Sequence, residues 1–299
     1  MDCVAGRWPP PDHADATSRT LPRTVRPIDS QPNTSPIQRS EQGGLLLSGE
    51  ARLSDVAASP LVRDAFPLLA SACEREHTNA GDGRTLASSL APDTRCRRTG
   101  DAVACAVNGS ALCAARDPTS PLHAILDGGP CWRAFRSLTG VALAALDAAV
   151  ALSDSDTGWL STDEFFEKPD DSAPTETRPA GTVLRVKLPA AAGGGYQRLI
   201  LDPREDAEGT VRMSIAAVQR ADGDVRLVLG GVAPRPYRVY TSVEEEAMAG
   251  GLDEEAITGL ADRALLDADT DPHSANRLDA AAALLRLAIE EIAANQRPR

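Results

Sequence analysis

Residues 211–232, VRMSIAAVQRADGDVRLVLGGV, decide the fold. Apolar side chains predominate over Val211–Val218 and again over Val225–Val232, which is typical of strands that pack against a core. Between them, Asp222-Gly223-Asp224 has the composition of a tight turn. The stretch therefore predicts two neighbouring strands joined by a short turn.

Two more strands are predicted before this hairpin, and a helix is predicted after it. Thr182–Leu188 alternates between polar and apolar residues, and Tyr196–Leu201 follows it, so both are predicted strands. The clearest helix lies near the C-terminus, where one face carries Leu278, Ala281, Leu284, Leu285, Ala288, Ile289 and Ile292. A run of strands followed by a run of helices indicates an α+β domain.

Shorter elements are predicted in the first half. Leu45-Leu46-Leu47 favours a strand, and Ser59-Pro60 favours a helix start because proline fits the first helical position. Pro67 predicts a break in that helical region. His123-Ala124-Ile125-Leu126 favours a short strand, and Val141–Val150 a helix.

These elements divide the chain into four parts. Residues 1–43 contain seven prolines and almost no apolar periodicity, which predicts a disordered tail. Residues 44–152 form a first lobe, which a cysteine-bearing segment interrupts at 96–131. Residues 153–180 are polar and rich in proline and aspartate, as in a linker, and residues 181–293 form the C-terminal α+β domain.

Composition narrows the class of protein. The 299 residues carry a net charge of −12 and only 3% aromatic side chains. An acidic chain without a basic cluster repels phosphate backbones, so we expect no nucleic-acid partner. No apolar run reaches the length of a membrane span, and no secretory signal precedes the first lobe. We therefore expect a cytoplasmic protein, or a periplasmic one if a partner subunit carries the export signal.

Four cysteines in the middle of the chain are candidate metal ligands. Cys96, Cys105, Cys113 and Cys131 are separated by eight, seven and seventeen residues. The surrounding segment is poor in large apolar side chains, and thiolate–metal bonds would close loops that packing alone does not. Four thiolates suit an iron–sulfur cluster and zinc equally well. Cys73, at an apolar position of a predicted helix, favours packing, and we expect the same of His123.

Several strings, in order, resemble one family. They are PLVR and FPLL at 60–63 and 66–69, TRC at 94–96, HAIL at 123–126, ALAALD at 142–147 and GGVAPRPYR at 230–238. Over residues 43–293 their spacing is similar to the FAD-binding (medium) subunits of molybdenum hydroxylases, the xanthine dehydrogenase family. The aldehyde-oxidoreductase branch, which carries an extra iron–sulfur insert, is the most similar.

The resemblance implies a fold and a cofactor set. It implies a partial vanillyl-alcohol-oxidase-type (PCMH-like) FAD-binding lobe with a cysteine-rich insert. An antiparallel sheet plus helical bundle would follow, like the C-terminal domain of CO dehydrogenase flavoproteins. The four cysteines match the ligands of a [4Fe-4S] cluster. The residues that match FAD-binding positions are Asn79, Gly81, Asp82, Gly83, Ser137 and Arg198.

The chain also departs from the family pattern. The family's first glycine loop, A-G-G-T-N, is absent from residues 1–40, and its second, T-V-G-G-N-L, is reduced to Gly81-Asp82-Gly83. A carboxylate that touches the flavin in the family falls on Leu138. A misplaced start codon, or a truncated or frameshifted gene, would account for the first loss, whereas drift towards a flavin-free structural subunit would account for Leu138.

The resemblance also implies a role in electron transfer. The subunit would relay electrons within a molybdenum-dependent oxidoreductase acting on aldehydes or purines. Its partners would be a large molybdenum-cofactor subunit and a small [2Fe-2S] subunit. The alternative is a degenerate, flavin-free subunit that supports assembly of such a complex.

Overall fold

The structure is a computed structural model. It describes residues 35–80, 83–90, 115, 117–120, 123–128, 132–153, 158–166, 182–193, 195–204, 211–269 and 271–296. Pro36–Arg299 form one compact unit, to which the following description refers. Within the described ranges, no helix is long and apolar enough to cross a lipid bilayer.

The first sheet has five antiparallel strands. They are β1 (Ile37–Arg39), β2 (Leu45–Ser48), β3 (Ala149–Leu152), β4 (Trp159–Ser161) and β5 (Val183–Leu188), in the order β1-β2-β5-β3-β4. The helices of this part are α1 (Leu53–Ala58), α2 (Pro60–Ala65), α3 (Pro67–Ala80), α4 (Leu86–Leu90), α5 (Leu138–Ala145) and α6 (Thr162–Phe165). The apolar sides of the sheet and of α1–α5 form a first core.

The second sheet has four antiparallel strands in sequence order. They are β6 (Tyr196–Leu201), β7 (Ser214–Gln219), β8 (Val225–Gly230) and β9 (Tyr237–Arg238). The helices α7 (Thr241–Ala249), α8 (Glu254–Ala264) and α9 (Ala275–Asn295) follow, and short 3-10 turns occupy Ala190–Ala192 and Pro272–Ser274.

Strand β7 explains why the hairpin sequence is apolar at successive positions. Ala216 and Val218 face the first core, which includes α5. Ile215 and Ala217 face a second core that α7, α8 and α9 cover. A strand covered on both faces has no polar side, so strict alternation is lost. The hairpin is the layer shared by the two cores.

Several predicted elements are confirmed. The strand at Leu45 and the final helix are present, and the turn at Gly223 uses the positive φ of +94° that glycine tolerates. Helix α2 ends at Ala65 and α3 begins at Pro67, so the proline breaks the helical region as predicted. The α+β class is also confirmed, because antiparallel sheets and helices follow in separate runs.

Other predictions are wrong in detail. The helix predicted over Val141–Val150 is α5, which starts earlier because Ser137 caps it and ends at Ala145. The left-handed φ of 53° at Asp147 then turns the chain into β3. The predicted strand at His123 is only an isolated bridge to Arg133.

The predicted ends of the first lobe also need correction. Strand β1 lies within residues 1–43 and is ordered because Ile37 pairs with Leu47 of β2. The predicted linker 153–180 contains β4 and α6, whose Phe165 is buried in the first core. Strand β5, beyond that linker, completes the first sheet.

Candidate functional site

The predicted flavin loop follows helix α3. Asn79 is exposed in the last turn of that helix, and Gly83 is exposed in the turn that leads to α4. Gly81 and Asp82 lie outside the described residues. A Cβ added at Gly83 would meet no atom within 4 Å, so packing does not require glycine there. The backbone at this point is open to a ligand.

Glu76, one turn before Asn79, joins this loop to the start of α5. One carboxylate oxygen, Oε2, accepts a hydrogen bond from the Ser137 hydroxyl at 3.0 Å and from the Thr139 backbone N–H at 2.8 Å. The other oxygen lies 3.1 Å from Nη2 of Arg84 in the loop. A carboxylate is favourable at a helix N-terminus because the backbone N–H groups there point outward. The carboxylate of Glu76 therefore occupies the N-terminus of α5, where another anion could otherwise bind.

These contacts define what Ser137 can do. Its hydroxyl donates to Glu76 and accepts from the Gly140 N–H at 3.1 Å, which makes it the N-cap of α5. The next residue, Leu138, is buried in the first core. The predicted role of Ser137 at a flavin stays a prediction, and the one O–H donor of its side chain is already used by Glu76.

Cys73 lies one turn before Glu76 and is fully buried, so its predicted role in packing is confirmed. Its Sγ lies 3.8 Å from Oγ1 of Thr139. Burial raises the pKa of the Cys73 thiol far above its ordinary value. The thiol is therefore neutral and unsuited to nucleophilic chemistry.

Arg198 lies apart from the flavin loop. Its side chain is 63% exposed on β6, and its Nε is 3.7 Å from Oε2 of Glu291. Its neighbour Gln197 contacts the start of α3, where it accepts from the Leu68 N–H at 3.4 Å. Asn79 is eleven residues farther along α3, which is about 16 Å along the helix axis. The structure does not bring Arg198 and Asn79 together.

A second set of charges fixes the other end of α5. Asp147 forms ion pairs with Arg220 and Arg226, whose side chains are only 13% and 14% exposed. Arg220 also lies 3.2 Å from Asp224. Sequence analysis did not identify this cluster, because Asp147 is more than seventy residues from both arginines. Its geometry ties α5 to the β7–β8 hairpin.

His123 is a packed histidine, as predicted. It is 1% exposed, and its Nδ1 lies 2.8 Å from the carbonyl oxygen of Ala115. Its ring stacks on Trp132 with 5.3 Å between centroids. Its Nε2 lies 3.5 Å from Oδ2 of Asp269.

The chain is similar in sequence to a known protein. The chain is 30% identical over 217 residues to the aldehyde oxidoreductase FAD-binding subunit PaoB of Escherichia coli (strain K12), covering 68% of this chain and 66% of that protein. The chain belongs to the family of FAD-binding subunits of molybdenum hydroxylases. It spans about two thirds of the length of this relative. No family model matches the chain.

Solved structures show the same fold. The carbon monoxide dehydrogenase from Hydrogenophaga pseudoflava that lacks the Mo-pyranopterin moiety of the molybdenum cofactor matches with a TM-score of 0.54 at 18% identity, covering 87% of this chain and 78% of that chain. Quinoline 2-oxidoreductase from Pseudomonas putida 86 matches with a TM-score of 0.51 at 17% identity, covering 86% and 77%. At such identities the likeness concerns the fold alone.

The predicted metal ligands of this family member are four cysteines. Cys96, Cys105, Cys113 and Cys131 all lie outside the described residues. Among the residues that are described, no group of three or more His, Cys, Asp or Glu side chains is arranged to hold a metal ion. The assignment to iron or zinc therefore stays a prediction from the donor chemistry.

Proposed function

We propose that the chain is an electron-transfer subunit of a molybdenum-dependent oxidoreductase. It would bind FAD at the loop after α3 and a [4Fe-4S] cluster at Cys96, Cys105, Cys113 and Cys131. The observation that carries the proposal is the 30% identity to an aldehyde oxidoreductase FAD-binding subunit. By analogy, the partners would be a large molybdenum-cofactor subunit and a small [2Fe-2S] subunit. Electrons from an aldehyde or purine would pass through this chain to an acceptor.

Residues in and next to the loop after α3 support the proposal that the chain binds FAD. Gly83 offers open backbone, and Asn79 an exposed amide. Arg84 brings a positive charge that a pyrophosphate would favour, although Glu76 already pairs with it. Bound FAD would supply the means of passing electrons between one- and two-electron partners. On this proposal, Gly81, Asp82 and Gly83 approach the phosphates, and Arg84 offsets their charge.

The cluster proposal depends on ligand chemistry. Four cysteine thiolates are the donor set that iron–sulfur clusters use, and arginines at 95, 97 and 98 favour the thiolate of Cys96. We also propose that the lobe predicted at residues 44–152, extended by β1, β4, α6 and β5 of the first sheet and its helices, corresponds to a PCMH-like FAD lobe with the cysteine insert at 96–131.

The second candidate function is a flavin-free assembly subunit. Two described residues favour it. The Ser137 hydroxyl is used by Glu76 and Gly140, and Leu138 is buried where the family has a carboxylate that touches the flavin. Such a chain would keep its interfaces and its cluster without the flavin.

The visible absorption spectrum of the full chain, purified under anaerobic conditions, separates the two functions. Flavin bands on a broad iron–sulfur shoulder support the electron-transfer subunit. The shoulder alone supports the assembly subunit. A colourless protein that holds stoichiometric zinc contradicts the iron–sulfur cluster in both.

A pair of glycine variants tests the position of the flavin. A Cβ added at Gly83 or at Gly259 of helix α8 meets no atom within 4 Å, so both alanine variants should fold. If the loop after α3 approaches the FAD phosphates, Gly83→Ala lowers the flavin content of the purified chain and Gly259→Ala does not. Equal flavin content in both variants contradicts this position for the cofactor.

A further inference from the structure

The first sheet has a face that lies opposite the first core. Leu47, Val186 and Val150 are aligned by the strand register and are buried in that core. Successive side chains of a strand point to opposite sides of the sheet, so the residues between them point away from the core. These residues are half-buried or exposed, and the surface that they form is here called the outer sheet face.

A shallow groove crosses the outer sheet face above β3. The register places Ser48, Arg185, Ala151 and Trp159 in one row across β2, β5, β3 and β4. Strands β5 and β4 lie on either side of β3, about 10 Å apart at the usual strand spacing. Ala151 and, in the next row, Ala149 carry only a methyl group. The floor of the groove is therefore low, and its sides are formed by the exposed Arg185 and by Trp159, which is 39% exposed.

The two cations beside this groove have no acidic partner. Lys187 lies in the next row, between Leu46 and Ala149. Its Nζ is 5.1 Å from the centroid of the Trp159 ring, which is a favourable cation–π distance. Within the part of the chain that the structure describes, neither Lys187 nor Arg185 forms an ion pair. Both charges are therefore available to a carboxylate from another molecule.

The outer sheet face differs in charge from the rest of the chain. Its two rows contain no acidic residue, although the chain has 43 acidic side chains against 31 basic ones. The carboxylate of Glu164 lies beside the face, but it accepts from the N–H and the hydroxyl of Ser161 at 2.7 and 2.8 Å. Ser161 is two strands away from Lys187. An acidic partner is thus repelled by most of this chain and attracted at this face, which gives docking a preferred place.

We propose that the outer sheet face is a docking surface for an acidic segment of a partner subunit. Carboxylates of that segment pair with Lys187 and Arg185, and its chain packs in the groove against Trp159. Tryptophan and arginine are the residue types that most often dominate the binding energy of interfaces. The inference rests on the proposed function, which supplies the partner subunits.

Cross-linking of the complex tests this contact directly. The full chain, purified with its partner subunits, is treated with a carbodiimide, which takes up the water that is lost when a lysine amine and a carboxylate form an amide bond. The chain has two lysines, Lys168 and Lys187. We expect mass spectrometry to find Lys187 joined to an aspartate or glutamate of a partner subunit. The proposal is overturned if Lys187 stays unmodified in the complex or is joined to a carboxylate of its own chain.

Charge reversal measures what the face contributes to docking. Lys187→Glu and Arg185→Glu should each weaken binding of the partner subunits about tenfold, and Trp159→Ala should do so by a similar factor. Arg212→Glu is the control, because Arg212 is exposed and lies outside both sheets. The melting temperature of each isolated variant checks that it is folded. Folded variants that all bind as tightly as wild type contradict the docking surface.

A glutamate oligomer separates this inference from the proposed function. The isolated full chain is titrated with poly-L-glutamate in a calorimeter at low salt. We expect binding that about 0.5 M sodium chloride removes and that Lys187→Glu weakens about tenfold. No binding, or equal binding by wild type and Lys187→Glu, overturns the inference. If no partner subunit accompanies the purified wild-type chain, the proposed function fails, and this titration decides whether the face binds carboxylates.

A second copy of the chain is the competing occupant. Analytical ultracentrifugation of the isolated chain measures self-association over a range of concentrations. We expect wild type and Lys187→Glu to sediment alike, because an acidic segment of another subunit occupies the face. Self-association that Lys187→Glu abolishes assigns the face to a second copy and contradicts the proposal.

Discussion

Replacing Glu76 should separate its two roles, as acceptor for the start of α5 and as ion-pair partner of the flavin loop. In Glu76→Ala, the buried Thr139 N–H and Ser137 hydroxyl lose their shared acceptor. A buried polar group without a partner costs about 1–3 kcal/mol, so the two together should cost about 3–5 kcal/mol. That is a large part of the about 5–15 kcal/mol that stabilises a typical domain.

Glu76→Gln should cost much less. Both hydrogen bonds reach the same oxygen, Oε2, so the single carbonyl oxygen of glutamine can accept both. What it loses is the ion pair with Arg84, whose side chain is 31% exposed. A partly exposed pair contributes about 0–1 kcal/mol, so we expect a loss of about 1 kcal/mol. Arg84→Ala should have a similar effect.

Urea unfolding of the full chain, followed by circular dichroism, measures these differences. Glu74→Ala is the matched control, since Glu74 is exposed on the same helix two residues earlier. We expect its stability to stay within about 0.5 kcal/mol of wild type. The reasoning is refuted if Glu76→Ala behaves like this control, or if Glu76→Gln costs as much as Glu76→Ala.

Four further changes test other parts of the fold. Glu244→Ala should destabilise the chain by about 3 kcal/mol in urea unfolding, because it leaves the half-buried Arg238 guanidinium without its carboxylate. Hydrogen bonds from the backbone N–H and hydroxyl of its N-cap serine lower the pKa of Glu164 below 4.5. The stabilisation that the Glu164 carboxylate provides is therefore present above pH 4.5 and is lost as the pH falls through its lowered pKa. The difference in melting temperature between wild type and Glu164→Gln should therefore be larger at about pH 7 than in acid. Gly231 has a φ of +85° and a Cβ there would lie 2.1 Å from a backbone oxygen, so Gly231→Ala should lose more than about 2 kcal/mol in urea. Gly259→Ala, which adds a methyl to an open helix position, should gain about 0.5–1 kcal/mol in the same assay.

The parts of the fold that sequence predicted are those set by local chemistry. Proline fixes its own φ and lacks an N–H, so the break at Pro67 depends on one residue. The apolar face of α9 repeats over 21 residues and leaves no other assignment for that helix. The turn at Gly223 is similarly local.

The parts that sequence missed depend on contacts between distant residues. Nothing near Glu76 indicates that its carboxylate will cap a helix about sixty residues later. Helix α5 was predicted too late in the chain because its ends depend on Ser137, which caps it, and on Asp147, which takes a left-handed conformation beside two arginines. An apolar run such as ALAALDAAV contains no local signal that separates its helix from the strand that follows.

The negative charge of Glu76 at the N-terminus of α5 helps to distinguish the two proposed functions. A helix N-terminus near a glycine loop is well suited to a phosphate, because its N–H groups and dipole favour an anion. In this chain the N-terminus of α5 already holds the carboxylate of Glu76, and the nearby Arg84 is paired with the same group. A dinucleotide at the loop would therefore share Arg84 with Glu76 and find the start of α5 occupied. Removing that carboxylate should strengthen flavin binding if α5 is near the phosphates, whereas a flavin-free subunit would gain no flavin and would only lose stability.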